Sequence, residues 1–409
     1  MLASFRYPAY RWLWVSNVAG SAGRWALVLV LGAQLLELTH SSFWVGLGLF
    51  LTQGPVILLA PYSGALADRF DRRMLNVLAA AMSAVTTFLF AFITWIGLMS
   101  LPVMLVLSVV FGVSFVLQMT LRSTLVPGLV PPNSLLNAVS LFQVGTLGAQ
   151  FLGPVLATPL LAIGGPHLAW SLCSLLYAAS AVLAVRVGDA RVRTVSAERR
   201  HRLRASLVYL RARPLAWVAV WAVALHCSLT MAYQGMLPMF VSMDLRASVS
   251  TYGILLTSIG FGAVIGSLGL AKFSGDHYRP RLFLVSLVGS GASLAVMGAA
   301  PSAGFAVITG VFVGGSQAMF MAMILALIQG SVDNEFRGRA TSFYQMITLT
   351  PMAAIGWGMG GLADLEQPRP IMVVSGILFL IAMAAFTILS PWLRLLFKPG
   401  GWQQSAQAA

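Results

Sequence analysis

Residues 64 to 73 read Gly64-Ala65-Leu66-Ala67-Asp68-Arg69-Phe70-Asp71-Arg72-Arg73. Five of these ten side chains are charged, in a chain of 409 residues where only 9% are. The block closes one apolar stretch, about 42–66, and precedes another, about 74–98. Each is long enough for the roughly 20 residues that a bilayer-spanning helix needs. A chain only 9% charged, against about a quarter in a soluble globular domain, is not a soluble protein.

The same alternation runs through the chain. Breaking the apolar windows at clusters of Gly, Pro and charge gives spans at approximately 10–36, 42–66, 74–98, 101–126, 134–163, 167–186, 215–241, 250–271, 282–300, 303–328, 340–363 and 371–396. Twelve helices of about 20 residues need about as many apolar residues as a 58% hydrophobic chain of this length supplies. The sequence therefore predicts an all-α polytopic membrane protein. The first apolar stretch follows only a short start and runs past Arg24 without a small-residue cleavage site, so no removable signal peptide is expected.

The net charge of +14 would suggest a nucleic-acid partner in a soluble protein, but a mean hydropathy of +0.86 leaves no polar domain to carry a basic face. The charge is topological instead. With both termini on one side, the loops of that side hold twenty-one Lys and Arg residues, against only Arg246 and Arg369 on the other. Cytoplasmic loops carry the excess of positive charge, so both termini are expected in the cytoplasm and the chain in a bacterial inner membrane. Residues 1–186 form one six-helix half, 187–214 a basic linker, 215–396 the second half and 397–409 a short tail. Segment 203–210 has the pattern of a short amphipathic helix on the inner leaflet, although a solvated linker that sets topology is the plainer reading. Cys173 and Cys227 lie inside apolar segments with no ligand spacing, so they read as packing residues, and no metal or cofactor is expected.

An internal repeat divides the chain in the same place. Residues 109–149 align without a gap on 311–351, an offset of 202, with twelve identities that include Gly112/Gly314, Gln143/Gln345 and Thr146/Thr348. The offset also pairs Gly64 with Gly266. Two similar six-helix bundles follow. Parallel halves of this kind are a transporter architecture with the binding site near the midplane between them.

The charged block resembles the G-x-L-a-D-r-x-g-r-r signature of the major facilitator superfamily, with Asp71 where Gly is common. The resemblance implies a conformational latch built from Gly64, Asp68, Arg69, Arg72 and Arg73, facing the eleventh span near Arg339 and Ala340 and locking the cytoplasmic side in the outward-open state. Gly153-Pro154, flanked by Ser140, Ala149 and Ala157, resembles the glycine-proline element of superfamily exporters, and equally a simple kink with small-residue packing. The stretch from Glu37 to Gly46, the loop through Tyr278-Arg279-Pro280 and Arg337-Gly338-Arg339 look like the branch that holds the enterobactin exporter and the macrolide-efflux permeases. That branch implies export of a small molecule by alternating access, with proton antiport, by a monomer in the bilayer.

The superfamily resemblance makes spans 1, 4, 7 and 10 line the cavity. Asn17, Ser21 and Arg24 share one face of span 1 at i, i+4, i+7. A cation at mid-membrane is expensive unless it is paired or faces water, so Arg24 is a candidate for the cargo. The repeat places His226 opposite it, with Thr230 and Tyr233 following on that helix face. Arg122 near the inner end of span 4 either binds cargo or snorkels to the interface. Gln118, Tyr233, Gln234 and Gln317 are further cavity candidates, and Met319, Met321 and Met323 would give span 10 a pliant surface.

No carboxylate falls in mid-membrane. Glu37, Asp68, Asp244 and Asp364, like the other acids, stand at span ends or in loops. Proton coupling would then fall to His226, Asp68 or Glu37. An Arg24 without a balancing acid predicts an acidic or oxygen-rich cargo such as a siderophore. The alternative is a multidrug or macrolide pump with a mainly apolar cavity. A membrane enzyme is opposed by the absence of any His with an Asp four or five residues later, of paired carboxylates and of a nucleotide-binding loop. A non-transporting sensor that keeps the fold remains a remote alternative.

Overall fold

A computed structural model describes residues 3–56, 59, 70–187, 211–273, 275, 277–332, 337–398 and 402. Gly64, Asp68 and Arg69 of the charged block and most of the 187–214 linker, including 203–210, lie outside the described residues. The described residues are 89% helical, with no strand among them.

The first half comprises α1 (Pro8–Thr39), α2 (Ser42–Gln53), α3 (Arg72–Trp95), α4 (Leu101–Leu129), α5 (Pro132–Gly164) and α6 (Pro166–Val185). The second comprises α7, which begins as Pro214–His226, then α8 (Val249–Lys272), α9 (Arg279–Gly298), α10 (Ala303–Gly330), α11 (Arg337–Leu365) and α12 (Pro368–Leu389). Eleven are long and apolar enough to cross a membrane, and the described part of α2 is a shorter apolar helix. Helix ends follow local chemistry. Proline sits in the first turn of α1, α4, α5, α6, α7, α9 and α12, where its missing N–H costs nothing. The Asp71 carboxylate accepts from the backbone N–H groups of Arg73 and Met74 and caps α3.

Alternate helix ends lie at the end of the molecule that carries the termini and at the far end. At the far end one apolar core is continuous across both halves, taking Leu27, Leu31 and Phe111 from the first and Phe240, Tyr252 and Leu294 from the second. At the termini end the core splits. Tyr10, Leu13, Leu125 and Val187 pack within the first half, and Leu215, Phe283, Phe320 and Trp402 within the second.

The halves meet along α2 against α11 and α5 against α8. Glycine permits both contacts. A Cβ on Gly46 would stand 2.8 Å from the Trp357 Cα, and one on Gly260 2.6 Å from the Gln150 carbonyl oxygen. Gly148 and Gly269, nearer the termini, face open space. The halves thus converge at the far end and part toward the termini. Phe88, Leu175, Ile308, Phe312, Ile381 and Ile388 are exposed around the outside, where a soluble protein would place polar groups and a bilayer supplies apolar partners.

Candidate functional site

At the apex of the space between the halves, α7 stops being a regular helix. The α-helical turns end at His226 and give way to a π-helical segment at Cys227–Met231 and a 3-10 turn at Ala232–Gly235. Pro238 follows in a single turn, Leu237–Met239. Gly235 has no side chain to pack, and Pro238 lacks the N–H that a continuing helix would use. Irregular backbone at membrane depth is tolerated where it is buried in protein or lines a cavity, and here a pocket adjoins it. Gln53 of α2, Met231, Gln234 and Gly235 of α7, and Met352 and Gly356 of α11 are among its lining residues.

Arg24 belongs to the first half. Its Nη1 donates to the Thr52 hydroxyl of α2 at 3.5 Å, and its guanidinium lies 4.5 Å from the centre of the Phe115 ring of α4. The side chain is half-buried, and no carboxylate among the described residues pairs with it. Ser21 is also half-buried. Asn17 instead donates to the Thr146 hydroxyl of α5 at 2.9 Å, a contact inside one bundle.

Arg122 is 7% exposed and turns into the first half. Its Nη2 donates to the Gln118 amide oxygen at 2.7 Å and to the Ser180 hydroxyl at 2.9 Å, and the guanidinium lies over Gly20, where a Cβ would come within 2.5 Å. Gln118 in turn donates to Ser83 of α3 at 2.7 Å. This polar network joins α1, α3, α4 and α6.

His226 has no exposed surface and faces the second half's core, so it does not stand across the cavity from Arg24. Its Nε2 pairs with the Ser290 hydroxyl at 2.8 Å, and its ring stacks 4.4 Å from Phe320 and meets Phe379 edge-on at 5.4 Å. The repeat still relates the two environments. At the 202-residue offset Phe320 stands where the first half has Gln118, so an aromatic ring replaces a member of the polar network, and Phe379 stands where Tyr177 packs in the first half's core. Gln317 donates to the Thr230 carbonyl oxygen at 2.5 Å and interacts with the buried Tyr233, tying α10 to the irregular part of α7.

Asp364, at the far end of α11, reaches across the halves. Its carboxylate accepts from the backbone N–H groups of Ser42 at 2.6 Å and Phe43 at 3.1 Å, and from the Ser41 hydroxyl. Ser41 makes no side-chain cap for α2, so the cap is supplied by the other half. Asp244 and Arg369 are joined within the second half, Nε to Oδ1 at 3.6 Å. Burial raises the Asp244 carboxyl above its ordinary value, while the Arg369 backbone N–H and guanidinium pull it down. Glu37 is exposed in the last turn of α1. Arg73 donates to the Val185 carbonyl oxygen and ties α3 to α6. Gly153, beside Pro154, lets α5 approach α1, since a Cβ there would stand 2.8 Å from the Ala26 nitrogen.

Two six-helix halves around a broken seventh helix define a membrane transporter of the major facilitator fold. The nucleoside transporter NupG superposes with a TM-score of 0.68 at 14% identity, covering 93% of this chain and 98% of its own. A bacterial homolog of the human lysosomal transporter Spinster does so at 0.67 and 16%, covering 94% and 96%. The transmembrane secretion effector family matches residues 1–393, and the chain belongs to that family. Among its relatives are the enterobactin exporter EntS of Citrobacter koseri, 23% identical over 96% of this chain and 94% of the relative, and that of Salmonella choleraesuis, 24% identical over 90% and 89%. It is a membrane exporter, not an enzyme.

Sequence reasoning missed Gln53 and the cap that Asp364 supplies. Gln53 precedes Gly54-Pro55 inside an apolar stretch, which was the available signal. Nothing local in the sequence indicates that Asp364 pairs with residue 42.

Proposed function

We propose that the protein exports a small acidic or oxygen-rich molecule, siderophore-like in chemistry, from the cytoplasm across the bacterial inner membrane by alternating access, as a monomer driven by proton antiport. The observation that carries the cargo class is Arg24, a half-buried cation with a hydroxyl and an aromatic face as neighbours and no carboxylate. An unbalanced cation at this depth favours a ligand that brings negative charge or acceptor oxygens. The relatives named as enterobactin exporters support outward transport of such a compound.

With the basic loops in the cytoplasm, the converged far end faces outward and the space between the halves opens inward. Asp364 capping α2 is then an outer latch, holding the inward-open state and releasing when the protein turns outward. The block with Gly64, Asp68, Arg69, Arg72 and Arg73 serves as the inner latch of the opposite state. For proton coupling the candidates are His226, Asp68 and Glu37, of which His226 has no water-facing surface in this conformation. A second reading, a multidrug or macrolide pump, draws on Met231 and Met352 in the pocket lining.

Uptake into inside-out membrane vesicles separates the two. Anionic aromatic compounds should accumulate, a protonophore should abolish the accumulation, and Arg24→Ala should reduce it at least tenfold. Preferential uptake of cationic dyes, unaffected by Arg24→Ala, would establish the multidrug reading instead.

A further inference from the structure

Gln53 is 4% exposed, and its Oε1 is buried without a hydrogen-bond partner. It lines the pocket between the halves, and Gln234, on the pocket's α7 wall, makes no hydrogen bond among the described residues either. Among the described residues only Asn76, on α3 and away from the pocket, has another buried amide oxygen without a partner, and the other buried glutamines are satisfied. Gln34 takes Trp170 and Thr94, Gln118 takes Arg122 and Ser83, and Gln317 takes the Thr230 carbonyl. A buried polar atom without a partner costs about 1–3 kcal/mol, which makes the orphaned Gln53 Oε1, in a pocket that the half-buried Gln234 also lines, a feature to explain.

Both stand where their helices lose regularity. Gln53 is the last residue of α2 before Gly54-Pro55, and Gln234 lies in the 3-10 turn that follows the π-helical segment of α7. Around them the walls are apolar or bare backbone. A Cβ on Gly235 would meet the Gly356 carbonyl oxygen at 2.9 Å and the Gly46 Cα at 3.0 Å, so α2, α7 and α11 close over the pocket and shut it toward the far end. Arg24 is not remote from this place, because the hydroxyl it contacts is that of Thr52, the neighbour of Gln53.

We propose that the Gln53 and Gln234 carboxamides form a neutral subsite that recognises an amide-like group of the cargo, one that donates an N–H or O–H and accepts through an adjacent carbonyl. Amides, lactams and hydroxamates share this chemistry. Each carboxamide offers two N–H donors and an acceptor oxygen, so whichever way its ends are placed it complements a donor–acceptor pair. A bare carboxylate has no proton for the orphaned oxygen, and a cation has no acceptor for the N–H groups. The subsite rests on the cargo reading above and extends it. The cargo is bifunctional, with its acidic or oxygen-rich end at Arg24 and a neutral amide-like group deeper, between α2, α7 and α11.

Three small probes test this on the full-length protein in lipid nanodiscs. Hippurate carries a carboxylate and an amide, 4-phenylbutyrate has the same length and carboxylate without the amide, and hippurate methyl ester keeps the amide without the charge. Wild-type protein should bind hippurate about tenfold tighter than 4-phenylbutyrate, corresponding to about 1.4 kcal/mol. Gln53→Met and Gln234→Met should bring that ratio close to one, whereas Arg24→Gln should weaken both carboxylates by a common factor and leave the ratio in place. In the free protein Gln53→Met should not lower the unfolding temperature, since the amide it removes holds no partner. A wild-type ratio near one, a ratio that survives both methionine variants, or unfolding of Gln53→Met well below wild type overturns the subsite. Equal binding of hippurate and its methyl ester, with the Gln-dependent ratio intact, overturns the role of Arg24 and leaves the subsite standing.

Discussion

Arg24 and Arg122 have the same chemistry and opposite situations. Arg122 is enclosed by Gln118, Ser180 and the bare backbone at Gly20, so its loss strands the Gln118 amide oxygen inside the first half, while Ser180 keeps Ser16. Arg122→Ala should lower the unfolding temperature and the folded yield, with about 1–3 kcal/mol from the stranded amide oxygen. Arg24→Ala should leave the fold intact and fail in transport. Thermal unfolding and vesicle uptake on the same preparations make the comparison, and equal destabilisation by both variants would contradict it. Both arginines were legible in the sequence as charges in the membrane. Their roles were not, because a helix face shows direction only once its neighbours are placed. His226 illustrates the same limit. The repeat located it, but Phe320 in place of Gln118, with Phe379 beside it, makes its surroundings an aromatic core. Asp244 gives a pH-dependent prediction. Its carboxyl is raised by burial, so the folded state disfavours the charged form more than the unfolded chain does. Asp244→Asn should therefore raise the unfolding temperature at pH 7. The gain should fade as pH falls through the folded value and vanish below the ordinary carboxylate value of about 3.9. Unfolding midpoints from pH 4 to 8 measure it.

Among the elements, the far-end closure depends on α2 and α11. Asp364 supplies the cap that α2 lacks, and Gly46 lets the two backbones touch. Asp364→Ala should cost about 0.5–2 kcal/mol of this closure, a shift of up to roughly thirtyfold toward the outward-open state. Gly46→Leu should shift it further, because the colliding atoms are backbone. Distances between labels at the two ends of α2 and α11 report the change, and unaltered distances in both variants would dismiss the latch. Most helix bounds were readable from the apolar windows and first-turn prolines. The breakdown of α7 was not, because the stretch Pro214–Gly235 as a whole is apolar enough for a regular span and the irregularity also needs the packing of Gly235 against α2 and α11.

At the scale of the molecule, the repeat and the twelve spans fixed a two-bundle architecture without coordinates, while the end at which the bundles meet could come only from three-dimensional packing. Topology is testable directly. Tags on both termini should be accessible from the cytoplasm, and cysteines replacing Arg246 or Arg369 should be labelled from outside. The central claim is outward transport of an acidic or oxygen-rich molecule held by Arg24. It is tested most directly by comparing all compounds released into the medium by cells with the protein, without it, and with Arg24→Ala. The account predicts that the wild type alone enriches the medium in one or a few acidic compounds, which stay inside the other two strains. An identical set of released compounds in all three, or release by Arg24→Ala equal to wild type, would contradict it.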